Sequence, residues 1–262
     1  MLLCENHLTK QSVTNILKVN QLRSLEKRAL YLKIRDYLAA DIAAGKWSEN
    51  DKLPSERQLS EQFSTTRVTA RQALTQLEAE GLIFRSNRRG WFVTPPRINY
   101  DPSRDMGFVR YVEDQGFSAR TQTLEKKLIE LPDHIADEVG LDRGTPVYEI
   151  LRRRYINDRP CLIEKIFLNP KHCPGVLQRS LDRSLWNLLK SEYDLVPVER
   201  HLEIYPQTLE QSIAEALDAN TGNSGLYIRR ICRDQNGNFL ELDEEFWLHN
   251  ALKVVVSVMP DK

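Results

Sequence analysis

This chain lacks a net charge: 37 Lys and Arg stand against 37 Asp and Glu. The balance removes any whole-chain electrostatic case for a polyanion or membrane-surface partner. It also lacks paired cysteines. Cys4, Cys161, Cys173 and Cys232 form no Cys-x-x-Cys spacing, which excludes a zinc ribbon and a disulfide framework; reduced thiols in a cytoplasmic protein are expected. No apolar run is long enough to span a bilayer. Met1-Leu2-Leu3-Cys4 lacks the basic and apolar stretches of a lipoprotein leader, so no membrane partner is expected. There is no phosphate-cradling loop, no nucleophile–base pairing and no metal-ligand spacing. His172-Cys173 and His201 stand apart from one another. Catalysis, a cofactor and a bound metal are therefore not expected.

What is present is unevenly placed. Between Lys52 and Arg97, eight Lys and Arg face four Asp and Glu, a basic head on an acidic remainder. That layout suits a reader of nucleic acid. A length of 262 residues allows two cores. Residues 1–28 are a polar lead-in with no assigned role. Tyr31, Ile34, Leu38 and Ile42 recur at helical spacing, predicting a helix over 30–44 that Gly45 ends. Ser55, with Gln58 three residues on, forms a capping box. Leu59 and Phe63 give the short helix behind it an apolar side. Ser64-Thr65-Thr66 is a turn, and Thr66 caps a helix over 67–80. Ala70, Ala73, Leu74 and Leu77 line the inner side of that helix; Arg67 and Arg71 lie one turn apart on another. Strands over 82–85 and 91–93 flank a tip carrying Arg88 and Arg89. The pattern is a winged helix-turn-helix over 29–94, whose second helix would enter the major groove. Thr94-Pro95-Pro96-Arg97 predicts a stiff linker over 95–101.

From 102 to 262 short strands alternate with short helices. Hairpins are expected over 147–168, around Asn157-Asp158, and over 226–248, around Asn236-Gly237, a strong turn signal. A helix–turn–hairpin unit over 134–168 recurs over 209–248. Val147-Tyr148 answer Leu226-Tyr227, and Arg154 answers Arg233. Two such units predict an α+β domain, an antiparallel sheet with helices on one face and a cleft between them. A last strand is expected over 254–259. Arg152 and Arg154 share one strand face and Arg153 takes the other, because strand side chains alternate. Paired guanidiniums suit phosphate or phosphonate oxygens; a surface charge ladder is the alternative.

Leu53-Pro54-Ser55-Glu56-Arg57 with Leu59, then Arg67, Thr69, Arg71, Ala73-Leu74, Leu77, Glu80-Gly81-Leu82-Ile83 and Gly90 with Phe92-Val93 carry a resemblance. In them the first part resembles the GntR family of bacterial transcription regulators. The remainder resembles, through looser motifs, the UTRA effector domain of the HutC branch, a fold similar to chorismate lyase. The resemblance implies a homodimer that binds double-stranded operator DNA and a small effector. It implies DNA contacts from Ser55, Glu56, Arg57, Arg67, Thr69, Arg71 and Gly90, to which the wing tip adds Arg88 and Arg89. Arg67 and Arg71 would reach guanine edges, Arg57 and Thr69 phosphates, and Glu56 would orient an arginine. Two residues depart from the family pattern. Trp91 stands where relatives have Thr, which would alter wing packing. Gln72 replaces Glu, which would remove an acidic partner of Arg71.

Relatives that bind sugar phosphates hold the phosphate on alternating strand arginines, which implies effector contacts from Arg152 and Arg154. The same resemblance adds the hydroxyls of Thr121 and Ser184, then Glu164, Glu241 and Trp247, with Arg120 beside them. The strings Phe63-Ser64-Thr65-Thr66-Arg67, Arg88-Arg89-Gly90-Trp91-Phe92-Val93-Thr94-Pro95 and Phe246-Trp247-Leu248-His249 resemble regulators of 2-aminoethylphosphonate utilisation. They imply a phosphonate effector, with Glu164 or Glu241 opposite its ammonium. A sugar phosphate is the alternative effector. An enzyme on the chorismate-lyase-like fold is the alternative of another class.

Overall fold

The computed structural model describes residues 30–86, 89–104, 106–234 and 236–258. The chain divides into two units, Met1–Pro95 and Pro96–Lys262. In the first, helix α1 (30–43) buries Ile34 and Leu38. Helix α2 (Glu56–Gln62) starts at the expected capping box: Ser55 Oγ accepts from the Gln58 amide, and the Gln58 side chain accepts from the Ser55 amide. Helix α3 (Arg67–Ala79) is capped by Thr66, whose hydroxyl accepts from the Thr69 amide. Ala70, Ala73, Leu74 and Leu77 meet Ile34, Leu38 and Leu59 in one core. Strands β1 (Ile83–Ser86) and β2 (Gly90–Val93) pair antiparallel as the wing. Trp91 is buried in the same core, so its replacement of Thr extends the packing under the wing. Gly90 has φ +112°, and an added Cβ would meet Lys52 Cε at 3.2 Å. Backbone conformation therefore demands glycine there.

The second unit runs β3 (Ile98–Tyr100), α4 (Phe108–Glu113), β4 (Ala119–Glu130), α5 (Asp133–Val139), β5 (Pro146–Ile156), β6 (Arg159–Leu168), α6 (Leu185–Tyr193), β7 (Glu199–Thr208), α7 (Gln211–Ala216), β8 (Ser224–Arg233), β9 (Phe239–Leu248) and β10 (Leu252–Val254). Six strands form one antiparallel sheet in the order β4-β5-β6-β9-β8-β7. That order makes the repeat visible. The run β4-α5-β5-β6 is answered by β7-α7-β8-β9, and the two halves join at β6 and β9. Lys165 faces Glu244 at the join, with Glu164–Glu245 and Ile166–Asp243 on either side of it. A pseudo-two-fold axis through that pair exchanges the halves.

Three expectations are corrected. Helices flank both faces of the sheet, not one. On one face Leu185 and Leu189 of α6 pack with Ile150 and Ile166, and Phe108 of α4 meets Trp247. On the other, Ile135 and Val139 of α5 pack with Val147 and Phe167, and the Ala216 carbonyl of α7 accepts from Arg153 Nη1 at 3.1 Å. The reason is that both parities of β5 and β6 carry apolar residues, so both faces need a cover. The linker over 95–101 is shorter than expected. Ile98–Tyr100 pairs in parallel with β10, and the Ile98 amide donates to the Ala251 carbonyl at 3.0 Å. The last strand is Leu252–Val254 rather than 254–259, because its partner ends at Tyr100; Val256 and Val258 are exposed, and 259 lies outside the described residues. Among the described residues no helix is long and apolar enough to cross a membrane.

Leu74 is fully buried under α3. Leu74→Ala is expected to cost about 2–5 kcal/mol of first-unit stability, the range for emptying a packed leucine site. Denaturant titration followed at the tryptophans reads this; a loss below about 1 kcal/mol would show a looser core.

Candidate functional site

The N-terminal half of α3 presents Arg67, Val68 and Arg71 to solvent, with Val68 74% exposed. This exposed start follows from the inward set at Ala70, Ala73, Leu74 and Leu77, which turns the arginines outward. Arg71 is held from α2: Nε donates to Glu56 Oε1 at 2.9 Å and Nη2 to Oε2 at 2.8 Å. The two-pronged hydrogen bond from Arg71 keeps the Glu56 carboxyl below the ordinary carboxylate range. Arg71 thus has an acidic partner in spite of Gln72, and Glu56 orients an arginine as expected. Arg67 makes no ion pair among the described residues. Arg57 pairs with Glu61 on the surface of α2 at 3.0 Å.

Thr69 departs from its expected phosphate role. It is 3% exposed, and its hydroxyl lies 3.0 Å from Thr66 Oγ1, inside the α3 cap. Ser55 also caps α2 with its hydroxyl, but unlike Thr69 it is exposed. On the wing, Arg89 stacks its guanidinium over Phe92, 5.3 Å from the ring centre. Arg88 lies outside the described residues. Val68 is the residue of this surface that the sequence reading missed; nothing in an apolar–polar pattern marks a valine for exposure.

The second unit holds a cavity of about 270 Å³. Of the expected effector residues, Arg154 and Glu164 line it. Arg152 sits below the wall, 2% exposed. Its Nε donates to Glu164 Oε2 at 2.5 Å, and its Nη1 reaches the Leu181 and Arg183 carbonyls at 3.3 and 3.4 Å. Arg154 Nη2 donates to Glu164 Oε1 at 2.6 Å and Nη1 to Thr121 Oγ1 at 3.2 Å. Strand parity explains the clamp: Arg152 is directly opposite Glu164, and Arg154 directly opposite Thr121. Burial works to raise the Glu164 carboxyl, but the two guanidiniums outweigh it and hold it at about 2.

The other expected residues divide. Thr121 joins the clamp. Trp247 is buried and its Nε1 donates to Glu245 Oε2 at 2.7 Å. Ser184 Oγ caps α6 by accepting from the Asn187 amide. Glu241 is buried and does not line the cavity, and its Oε2 has no hydrogen-bond partner among the described residues. Arg120 is not part of the cluster; it is half-exposed and stacked 3.4 Å over the Tyr155 ring.

The structure adds residues that the sequence reading missed. Tyr100, Tyr111, Trp186, Arg230 and Glu245 line the cavity, with Arg104, Arg110, Lys190 and Arg200 also on its wall. Arg230 Nη2 donates to Glu245 Oε1 at 2.6 Å. Arg230 is directly opposite Asp243 in β8–β9, as Arg152 is opposite Glu164 in β5–β6. The repeat carried this signal, but sequence alignment set Arg154 against Arg233. The bulges fall at Arg154/Tyr155 and Cys232/Arg233, so ladder register sets Arg152 against Arg230.

A winged helix-turn-helix with an outward arginine helix, followed by a sheet domain around a charged cavity, defines a DNA reader that carries its own small-molecule domain. Comparison with known proteins gives the family. Residues 30–93 match the bacterial regulatory proteins of the gntR family, and residues 114–253 match the UTRA domain. The HTH-type transcriptional regulator YihL of Escherichia coli K12 is 31% identical over 208 residues, 79% of this chain and 88% of that protein. The HTH-type transcriptional repressor NagR of Bacillus subtilis is 29% identical over 214 residues, 81% and 87% of the two chains. The crystal structure of PhnF from Mycobacterium smegmatis shares the fold, with a TM-score of 0.62 at 21% identity over 87% of this chain and 100% of that one. The chain belongs to the gntR family of bacterial transcription regulators and carries a UTRA effector-binding domain. Regulators of this family bind operator DNA, and the UTRA domain binds small-molecule effectors. Its relatives are regulators, and the chain is not an enzyme.

Two outcomes follow from the buried charges. Arg152→Ala leaves Glu164 short of one guanidinium and is expected to cost about 3–5 kcal/mol, the usual cost of breaking a buried pair from one side. Replacing Glu164 by Gln in the same chain should recover much of that loss in thermal melts; no recovery would mean that packing, not charge, sets the cost. Burial raises the Glu241 carboxyl from 4.5 to about 7. A folded value above the unfolded one gives stability that is full below the unfolded value and lost as pH rises through the folded value. Glu241→Gln is therefore expected to melt above wild type at about pH 8, with the gap closing towards about pH 5. A gap independent of pH would assign the effect to packing alone.

Proposed function

We propose that this chain is a homodimeric regulator whose operator affinity is set by a small phosphonate-type effector seated in the cavity of the second unit. The supporting observation is the charge of the cavity wall: six cationic side chains, Arg104, Arg110, Arg154, Lys190, Arg200 and Arg230, against two carboxylates, Glu164 and Glu245. Such a wall favours a small anion through charge-assisted hydrogen bonds. The strings around Phe63, Arg89 and Trp247 favour 2-aminoethylphosphonate as that anion.

On the DNA side, Arg67 and Arg71 are the base-reading pair, with Glu56 fixing the Arg71 fork. Ser55, Arg57, Arg89 and Gly90 lie with them in the backbone-contacting set. Two copies of α3 would read a palindromic site, its half-site spacing set by the dimer. The protein acts in the cytoplasm, where operator and effector meet. The effector changes operator affinity only in so far as it binds the DNA-bound and free arrangements unequally.

Operator binding by fluorescence anisotropy tests both halves. Adding 2-aminoethylphosphonate is expected to shift the operator Kd, while a hexose phosphate leaves it in place; the reverse ranking would favour the sugar-phosphate reading. Arg67→Ala is expected to cost about 1–3 kcal/mol of discrimination between operator and random DNA. Equal loss on both DNAs would remove Arg67 from base reading.

A further inference from the structure

The acceptors beneath the cavity are not all satisfied. Four buried carboxylates, Glu164, Glu241, Asp243 and Glu245, stand against the guanidiniums of Arg152, Arg154 and Arg230. Glu164 has both oxygens held by Arg152 and Arg154. Glu245 has one held by Arg230 and the other by Trp247 Nε1. Asp243 is 2% exposed, and among the described residues its one ion pair is the loose contact of Oδ2 with Arg230 at 3.8 Å. Its Oδ1 and Glu241 Oε2 have no hydrogen-bond partner among the described residues. Carboxylate oxygens of Glu164, Asp243 and Glu245 lie within 4.8 Å of one another. Glu164 and Glu245 line the cavity, and Asp243 stands behind them. The floor therefore keeps unfilled acceptor oxygens, although the wall above it is cationic.

We infer that the floor formed by Glu164, Asp243 and Glu245 seats a primary ammonium of the effector, while the outer cations take its anionic end. This rests on the effector reading above and narrows it to a class: a small zwitterion, with ammonium and phosphonate at opposite ends of a short chain. An ammonium has three donors and no acceptor. Glu164 Oε1 and the two Glu245 oxygens each accept one hydrogen bond and keep a second lone pair, so the ammonium adds donors without breaking the existing clamps. A divalent metal would need the same oxygens stripped of their guanidiniums, which remain close by. Tyr100 and Tyr111 line the same cavity with ring centres 5.6 Å apart, and aromatic faces attract ammonium further. At the outer end, Arg104 and Lys190 have no ion pair among the described residues, and Arg110 lies 4.0 Å from Asp114. The Arg152–Arg154 pair is a poorer anion seat than its sequence suggests, because Glu164 already neutralises one of its two charges.

Calorimetry on the full chain tests this with two probes, 2-aminoethylphosphonate and ethylphosphonate, which differ only in the ammonium. The aminated probe is expected to bind at least about tenfold more tightly, the scale of one hydrogen bond to a charged group. Asp243→Asn and Glu245→Gln are expected to shrink that ratio towards one. The comparison on the unaltered chain needs neither variant to fold. Equal affinity for the two probes overturns the ammonium seat and leaves the phosphonate reading standing. No binding of either probe overturns both. Magnesium or manganese binding that Asp243→Asn abolishes, and that competes with the aminated probe, makes the floor a metal site and overturns the inference.

Discussion

A carboxylate held out of water between two guanidiniums is the constraint on which the second unit depends. Glu164 could not stay ionised at its depth without Arg152 and Arg154, and neither arginine could be buried without it. Taking such charges from water costs several kcal/mol per ion, and their attraction recovers that only where every donor is placed. Here the placement comes from the sheet. Adjacent strands put Arg152, Arg154, Thr121 and Glu164 on one face at successive register positions. The carbonyls of Leu181 and Arg183 take donors that the strands cannot reach. The clamp adds little net stability for its cost. What it secures is a fixed Arg154 and Glu164 at the cavity wall.

The first unit uses the same pairing under different solvation. Glu56 and Arg71 form an equally direct two-pronged contact, but the arginine side chain is largely exposed. Solvent and salt screen such a pair, so its worth in folding is small. Its effect is on geometry. A lone arginine at a helix surface samples many rotamers; one gripped by a carboxylate from the preceding helix presents one edge. The other arginine of the pair, Arg67, has no such grip among the described residues. The two therefore differ in rigidity: Arg71 is fixed from α2, and Arg67 is free to change rotamer.

Local order was the most legible part of the sequence. Ser55 with Gln58, Thr66 before α3 and the inward set from Ala70 to Leu77 each act within a few residues, and each appears as expected. The parity of Arg152, Arg153 and Arg154 was equally readable. What was not legible depends on contacts between distant segments. Thr69 looked available because one-turn spacing cannot tell a capping hydroxyl from a free one. Arg152 looked like a ligand group because its carbonyl partners, at Leu181 and Arg183, lie on a later loop. Ile98–Tyr100 looked like linker because its partner strand is some 150 residues further on. Arg230 and Asp243 were hidden behind a one-residue slip between sequence alignment and ladder register, which only the bulges reveal.

That slip also explains how a repeated scaffold makes a polar cavity rather than a symmetric one. The pseudo-two-fold axis through Lys165 and Glu244 sets Arg152–Glu164 against Arg230–Asp243. The first pair closes at 2.5 Å, but the second stays open at 3.8 Å, because Arg230 turns to Glu245 instead. Glu245 in turn corresponds to Ile166 across the axis, an apolar residue packed under α6. An extra carboxylate in one half thus draws the arginine from its counterpart partner and leaves Asp243 without a close guanidinium. Equal backbones with one unequal side chain are enough to give the cavity a direction.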